Sequence, residues 1–155
     1  MEYTVSEKIA KAYELLKGLG AVQSGIEFIK DDEQNTLEDQ RDLVVIEAPT
    51  FQEANRAKAF AEKLAVLGLE DVQVDRHGNA FGNTGKAIVI EGHLDTVFPM
   101  GTVTDRPEPQ DGVYHCPGIA DDTRGLVAVL SVLRAFEQSK IETHYDIIFM
   151  GTARE

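Results

Sequence analysis

Two short apolar runs, at 87–90 (Ala-Ile-Val-Ile) and 147–150 (Ile-Ile-Phe-Met), flank a stretch from about 123 to 138 whose apolar residues recur at helical spacing. Leu126, Val129, Leu130 and Leu133 would share the inward face of that helix. A run without polar alternation suits a strand covered on both faces, so residues 87–90 read as a central buried strand. Strand, helix and strand of these lengths predict a crossover and a parallel pair. The expected fold class is α/β: a three-layer α/β/α sandwich with a mostly parallel central sheet, truncated.

The first apolar run continues into Glu-Gly-His-Leu-Asp, which puts His93 and Asp95 at the carboxyl end of a strand. Open α/β sheets bind their ligands at that end. Side chains repeat every two residues along a strand, so His93 and Asp95 can lie on one side. An imidazole nitrogen can then bind a metal while the carboxylate holds the ring from behind. A second acidic cluster at 118–125, Gly-Ile-Ala-Asp-Asp-Thr-Arg-Gly, opens the crossover helix. Asp121 and Asp122 could both be helix N-terminal acids, stabilised by the helix dipole by about 0.3–1 kcal/mol.

Helical spacing also marks residues 6–17, with Ile9, Tyr13 and Leu16 on one face before Gly18 and Gly20. Further helices are expected at about 22–32 and 37–46, the latter ended by Pro49, with its charge cluster at 38–42 in solvent. Thr50-Phe51-Gln52-Glu53 reads as a capping box for a helix that continues through Ala57, Phe60, Ala61, Leu64 and Leu67 to Gly68. Short strands are expected near 71–75 and 79–82, with a turn at His77-Gly78-Asn79. No repeat or internal domain boundary interrupts the 155 residues.

Composition narrows the function classes. The net charge of −12 opposes binding to phosphate backbones, which needs clustered Lys and Arg, so no nucleic-acid partner is expected. No apolar stretch approaches the roughly 20 residues of a membrane helix, and the start lacks a signal-peptide pattern. The single cysteine, Cys116, cannot close an internal disulfide, which favours a reducing, cytoplasmic compartment.

Several short matches fail on inspection. The stretch at 80–87 lacks the first glycine and final hydroxyl of a phosphate-binding loop, having Ala80 and Ala87 there. The acidic stretch at 31–42 lacks the glycine of a calcium loop at its sixth position. His115 and Cys116 have no third residue to orient them, and Asp95-Thr96 is followed by Val97 where an aspartic protease has glycine. His77 and His144 read as surface or loop residues.

Residues 92–99 (Gly-His-Leu-Asp-Thr-Val-Phe-Pro), then 118–125, then Gly151-Thr152-Ala153-Arg154-Glu155 resemble, in order and spacing, three motifs of the M20 metallopeptidases. These are di-zinc amino- and carboxypeptidases with related deacylases. The resemblance spans roughly residues 35–155. It implies that His93 binds one zinc, that Asp121 bridges two while Asp122 keeps the helix N-terminal role, and that the Asp121–Asp122 peptide is cis. It also implies that Asp95 orients His93, and that Glu155 is the general base for the water that attacks the amide. Cobalt or manganese would be substitutes for zinc. Ala120-Asp121-Asp122 looks closer to the tripeptidase and glutamate-carboxypeptidase branch than to the deacylases, so the implied substrate is a small peptide, or else an N-acyl amino acid.

The second glutamate of the third motif, a later acidic ligand and a far C-terminal histidine have no counterpart. The chain is therefore expected to be the N-terminal part of the catalytic domain. It would lack the lid domain and the dimerisation that domain mediates, and would be inactive alone. The alternative is a non-catalytic fragment or pseudoenzyme that acts through metal or protein binding.

Overall fold

A computed structural model describes residues 6–82 and 87–154. Five helices and four strands follow one another as α1 (Glu7–Lys17), α2 (Gly20–Asp31), α3 (Glu33–Val44), α4 (Ala54–Val66), β1 (Gln73–Val74), β2 (Ala80–Phe81), β3 (Ala87–His93), α5 (Thr123–Ser139) and β4 (Asp146–Thr152). The strands form one mixed sheet in the order β1-β2-β4-β3. Its long ladder is the parallel β3–β4 pair, in register from Ala87 against Asp146 to His93 against Thr152. The β1–β2 and β2–β4 pairings are short and antiparallel. The α/β class and the strand–helix–strand unit are as the apolar pattern predicts.

The core lies between one face of this sheet and helices α3, α4 and α5. Leu126, Leu130 and Leu133 of α5 meet Phe60 and Leu64 of α4, Leu43 of α3 and Phe149 of β4. Ile90 and Ile147, which point to that same face, pack against the cluster. Val89 and Glu91, on the opposite face, are exposed, so the helices among the described residues form a single covering layer.

Two local expectations change. The run at 87–90 is not the central strand: β3 is an edge strand among the described residues, with Ile88 54% and Val89 49% exposed. β4 is instead the inner strand, pairing with β2 on one side and β3 on the other. Both runs are wholly apolar, and periodicity carries no information on which of two such strands lies outside. The capping box does not form either. α4 starts at Ala54 with Glu53 in the cap position, and Glu53 accepts the amide of Phe51 at 2.8 Å, while the Thr50 hydroxyl turns elsewhere.

The charge cluster on α3 is also not a solvated face. Gln40 and Arg41 are buried, and Arg41 Nε donates to the Pro107 carbonyl at 2.7 Å. Asp39 accepts from Arg134 of α5 and Lys63 of α4, each at 2.7 Å. Arg134 also pairs with Asp32, so α3 is clamped between its neighbours by charge pairs that offset one another's desolvation. α1 contributes no buried residue, and Ile9, Tyr13 and Leu16 are exposed.

Candidate metal centre

The site is built where β3 ends and α5 begins. Gly92 lies directly beneath the first turn of α5, where a Cβ would come within 2.9 Å of the Leu126 amide and 3.0 Å of the Gly125 carbonyl carbon. A glycine is needed for this approach. Gly125 meets the same requirement from the helix side, since a Cβ there would overlap the Asp122 carboxylate. Asp122 uses that space fully. Its Oδ1 accepts the Gly125 amide at 3.0 Å, capping α5, and its Oδ2 accepts the His93 amide at 3.0 Å. The structural role expected of Asp122 is thus a double one, cap and strand tie.

The neighbouring Asp121 precedes the helix and turns outward, its side chain 85% exposed. The Asp121–Asp122 peptide is cis, as the resemblance implies. The loop that carries Asp121 is held by Gln40, whose amide donates to the Ile119 carbonyl at 2.6 Å, and by Thr123, whose hydroxyl donates to the Gly118 carbonyl at 2.7 Å.

His93 and Asp121 meet: Nε2 of the imidazole lies 3.0 Å from Oδ1 of Asp121. On the other side of the ring, Nδ1 is 3.1 Å from the Asp95 carbonyl oxygen and 3.7 Å from its Oδ1. Asp95 is buried at 6% exposure, and among the described residues two donors orient its carboxylate. The Thr50 hydroxyl donates to Oδ2 at 2.9 Å, which is the role it takes in place of capping α4, and the Arg154 amide donates to Oδ1 at 3.2 Å. Glu155, the expected general base, lies outside the described residues. The segment leading to it is fastened by the Ala153 amide, which donates to the Asn79 side chain at 2.9 Å.

This arrangement has a simple consequence for charge. Both ring nitrogens of His93 face oxygen atoms that can only accept, a carbonyl on one side and a carboxylate on the other. A neutral imidazole carries one proton and satisfies one of them. The second needs another cation, either a further proton or a metal ion. An imidazole nitrogen and a carboxylate oxygen are donors that zinc accepts. His93 and Asp121 therefore fit a metal as a partial set. Among the described residues no group of three or more His, Cys, Asp or Glu side chains could hold one.

Sequence reasoning missed Arg56. It is the largest fully buried side chain, at 1% exposure, and donates to the Ile46 carbonyl at 2.8 Å and the Leu94 carbonyl at 2.7 Å. Burial pushes its guanidinium down to about 10, and the charge of Asp95 pulls back against that shift. The signal was present: Arg56 stands four residues before Phe60 and eight before Leu64, on the apolar stripe of α4. The dismissed pair His115-Cys116 gains nothing from the structure, since burial pushes the Cys116 thiol up, away from the reactive thiolate.

A family model described as "Peptidase family M20/M25/M40" matches residues 89–155, the span that holds His93, Asp95 and Asp121. The chain belongs to this peptidase family. It is 30% identical over 140 residues to YqjE, an uncharacterised protein of Bacillus subtilis, a match covering 80% of this chain and 37% of that protein. It is 31% identical over 112 residues to a succinyl-diaminopimelate desuccinylase of Methylobacillus flagellatus, covering 65% of this chain and 30% of the enzyme. The fold is that of the Saccharomyces cerevisiae di-peptidase Dug1p, with a TM-score of 0.66 at 16% identity over 84% of this chain and 34% of the yeast chain. The chain thus spans about a third of the length of these proteins. No described helix is long and apolar enough to cross a membrane.

Proposed function

We propose that the protein hydrolyses amide bonds in small peptides or N-acyl amino acids with the help of zinc, and that these residues are the N-terminal part of its catalytic domain. The observation that carries the reading is the imidazole of His93 set between two acceptors, with Asp121 Oδ1 at 3.0 Å from Nε2. His93 and Asp121 would hold the metal, Asp121 with an exposed carboxylate whose two oxygens can serve two ions. When bound, zinc polarises a carbonyl and lowers the pKa of water. The rest is done by the chain. Asp95, pinned by Thr50 and by the Arg154 amide, keeps the His93 ring in one orientation. Asp122 fixes the strand end relative to the helix, so the His93–Asp121 spacing is set by backbone. Glu155 would take a proton from the attacking water and return it to the leaving amine.

The desuccinylase and the yeast di-peptidase leave both an N-acyl amino acid and a peptide in view; the Ala120-Asp121-Asp122 sequence favours the peptide. The single cysteine supports a reducing, cytoplasmic location. A catalytic zinc usually has three protein ligands, and His93 and Asp121 supply two. The chain alone is therefore expected to be nearly inert, and dimerisation would need the lid domain. The test is zinc-dependent cleavage of di- and tripeptides by this chain and by a longer form extended to the length of its relatives. Activity of the long form that disappears with His93→Ala supports the reading. Peptide cleavage by the short chain equal to the long one, or a long form indifferent to zinc and to His93→Ala, contradicts it.

A further inference from the structure

Arg56 poses a problem that fold stability does not solve. A guanidinium taken fully out of water carries a large desolvation cost, and an apolar residue of similar size at such a place is often neutral or stabilising. The surroundings of Arg56 are an apolar stripe, with Phe60 and Leu64 following on the same face of α4. Among the described residues no carboxylate forms an ion pair with it, and its two hydrogen bonds go to backbone carbonyls. Those carbonyls are not arbitrary. Leu94 is the residue between His93 and Asp95, and its carbonyl forms the peptide that carries Asp95. Ile46 begins the segment that runs through Ala48 and Pro49 to Thr50.

That segment and the end of β3 come together around Asp95. The Thr96 amide donates to the Ala48 carbonyl at 2.9 Å, Pro49 bridges to Thr96, and Thr50 donates to the Asp95 carboxylate. One planar guanidinium therefore ties both strips of backbone that hold Asp95. Its rigid planar fork sets the two donors, Nε and Nη1, at a fixed angle to each other, which a lysine cannot reproduce.

We infer that Arg56 is a positioning residue of the metal centre: by gripping the carbonyls of Ile46 and Leu94 it sets the path of residues 93–95, and so the place of the His93 ring between Asp95 and Asp121. The inference rests on the metal reading of His93 and Asp121 for its affinity prediction, but not for its effect on the ring itself.

The experiment compares the unsubstituted chain with Arg56→Met, Arg56→Lys and, as a control for lost core stability, Leu64→Ala. Two quantities are read: the ring 15N resonances of His93 without metal, and zinc affinity by competition with a chromogenic chelator. Arg56→Met is expected to move the His93 ring resonances while leaving those of His77 and His144 in place, and to weaken zinc binding about tenfold or more. Arg56→Lys, able to keep one carbonyl bond, should fall between, and carries the test if Arg56→Met does not fold. Leu64→Ala should lower thermal stability with both readings unchanged. A folded Arg56→Met or Arg56→Lys with the original His93 resonances and zinc affinity overturns the role, as does a Leu64→Ala that matches them in loss. An unsubstituted chain that binds no zinc, yet whose His93 resonances respond to Arg56→Met, contradicts the metal reading and leaves the positioning role standing.

Discussion

Asp122 Oδ2 accepts the backbone amide of His93 at 3.0 Å, so the cap of α5 and the last residue of β3 are one unit. The same carboxylate caps the helix through Gly125. Asp122→Ala removes both bonds and should destabilise the chain by about 2 kcal/mol, the combined scale of a lost N-cap and a lost charged hydrogen bond. Asp122→Asn keeps one acceptor and should lose about half as much. Urea denaturation midpoints at constant slope measure both; an Ala variant within error of the original would show that the tie is not made in solution.

The close approach of β3 to α5 predicts opposite fates for two glycines. Gly92→Ala forces a Cβ to 2.9 Å from the Leu126 amide and should cost about 1–3 kcal/mol. Gly20→Ala meets nothing within 4 Å at the start of α2, and should be neutral or stabilise by up to about 1 kcal/mol. Thermal unfolding of the two variants separates these outcomes, and equal effects would argue against the helix–strand contact.

Thr50→Val tests whether the hydroxyl serves Asp95 or the helix. The substitution leaves a buried carboxylate oxygen without its 2.9 Å donor and should cost about 2 kcal/mol. It should also weaken zinc binding, because Asp95 loses one of the contacts that orient it. A capping role would instead fray the start of α4, visible as faster amide exchange at 54–57 with zinc affinity unchanged.

Glu47 supplies a pH-dependent contact away from the candidate metal centre. Its carboxylate accepts the amides of Gly101 at 2.8 Å and Val103 at 2.9 Å, and these hold it below the ordinary glutamate value of 4.5. A depressed folded-state value stabilises above the unfolded value and is lost as pH falls through the folded one. Amide exchange at Gly101 and Val103, corrected for its intrinsic pH dependence, should therefore rise as pH falls below about 4.5. In Glu47→Gln that pH dependence should vanish.

The α/β class, the crossover and the meeting of His93 with Asp121 were legible because each rests on local pattern: apolar runs, helical spacing and short motifs in order. What sequence could not place depended on contacts between distant segments. Which of two equally apolar strands became the edge was decided by β2 pairing with β4. Thr50 had two uses for its hydroxyl, and only the arrival of Asp95 beside it chose between them. The charges of α3 looked solvated because their partners, Arg134, Lys63 and Arg106, lie on other segments. Arg56 left one sign, its place on the apolar stripe of α4, but its partners are backbone carbonyls, which no side-chain pattern marks.

The most direct measurement of the account is a zinc titration of the chain followed by the ring 15N resonances of its histidines. The account predicts that Nε2 of His93 moves on zinc addition while His77 and His144 do not, and that Asp121→Asn abolishes the change at the same zinc concentration. Zinc that perturbs the other histidines and leaves His93 untouched, or an Asp121→Asn variant that responds as the unsubstituted chain does, would contradict the assignment of the metal to His93 and Asp121.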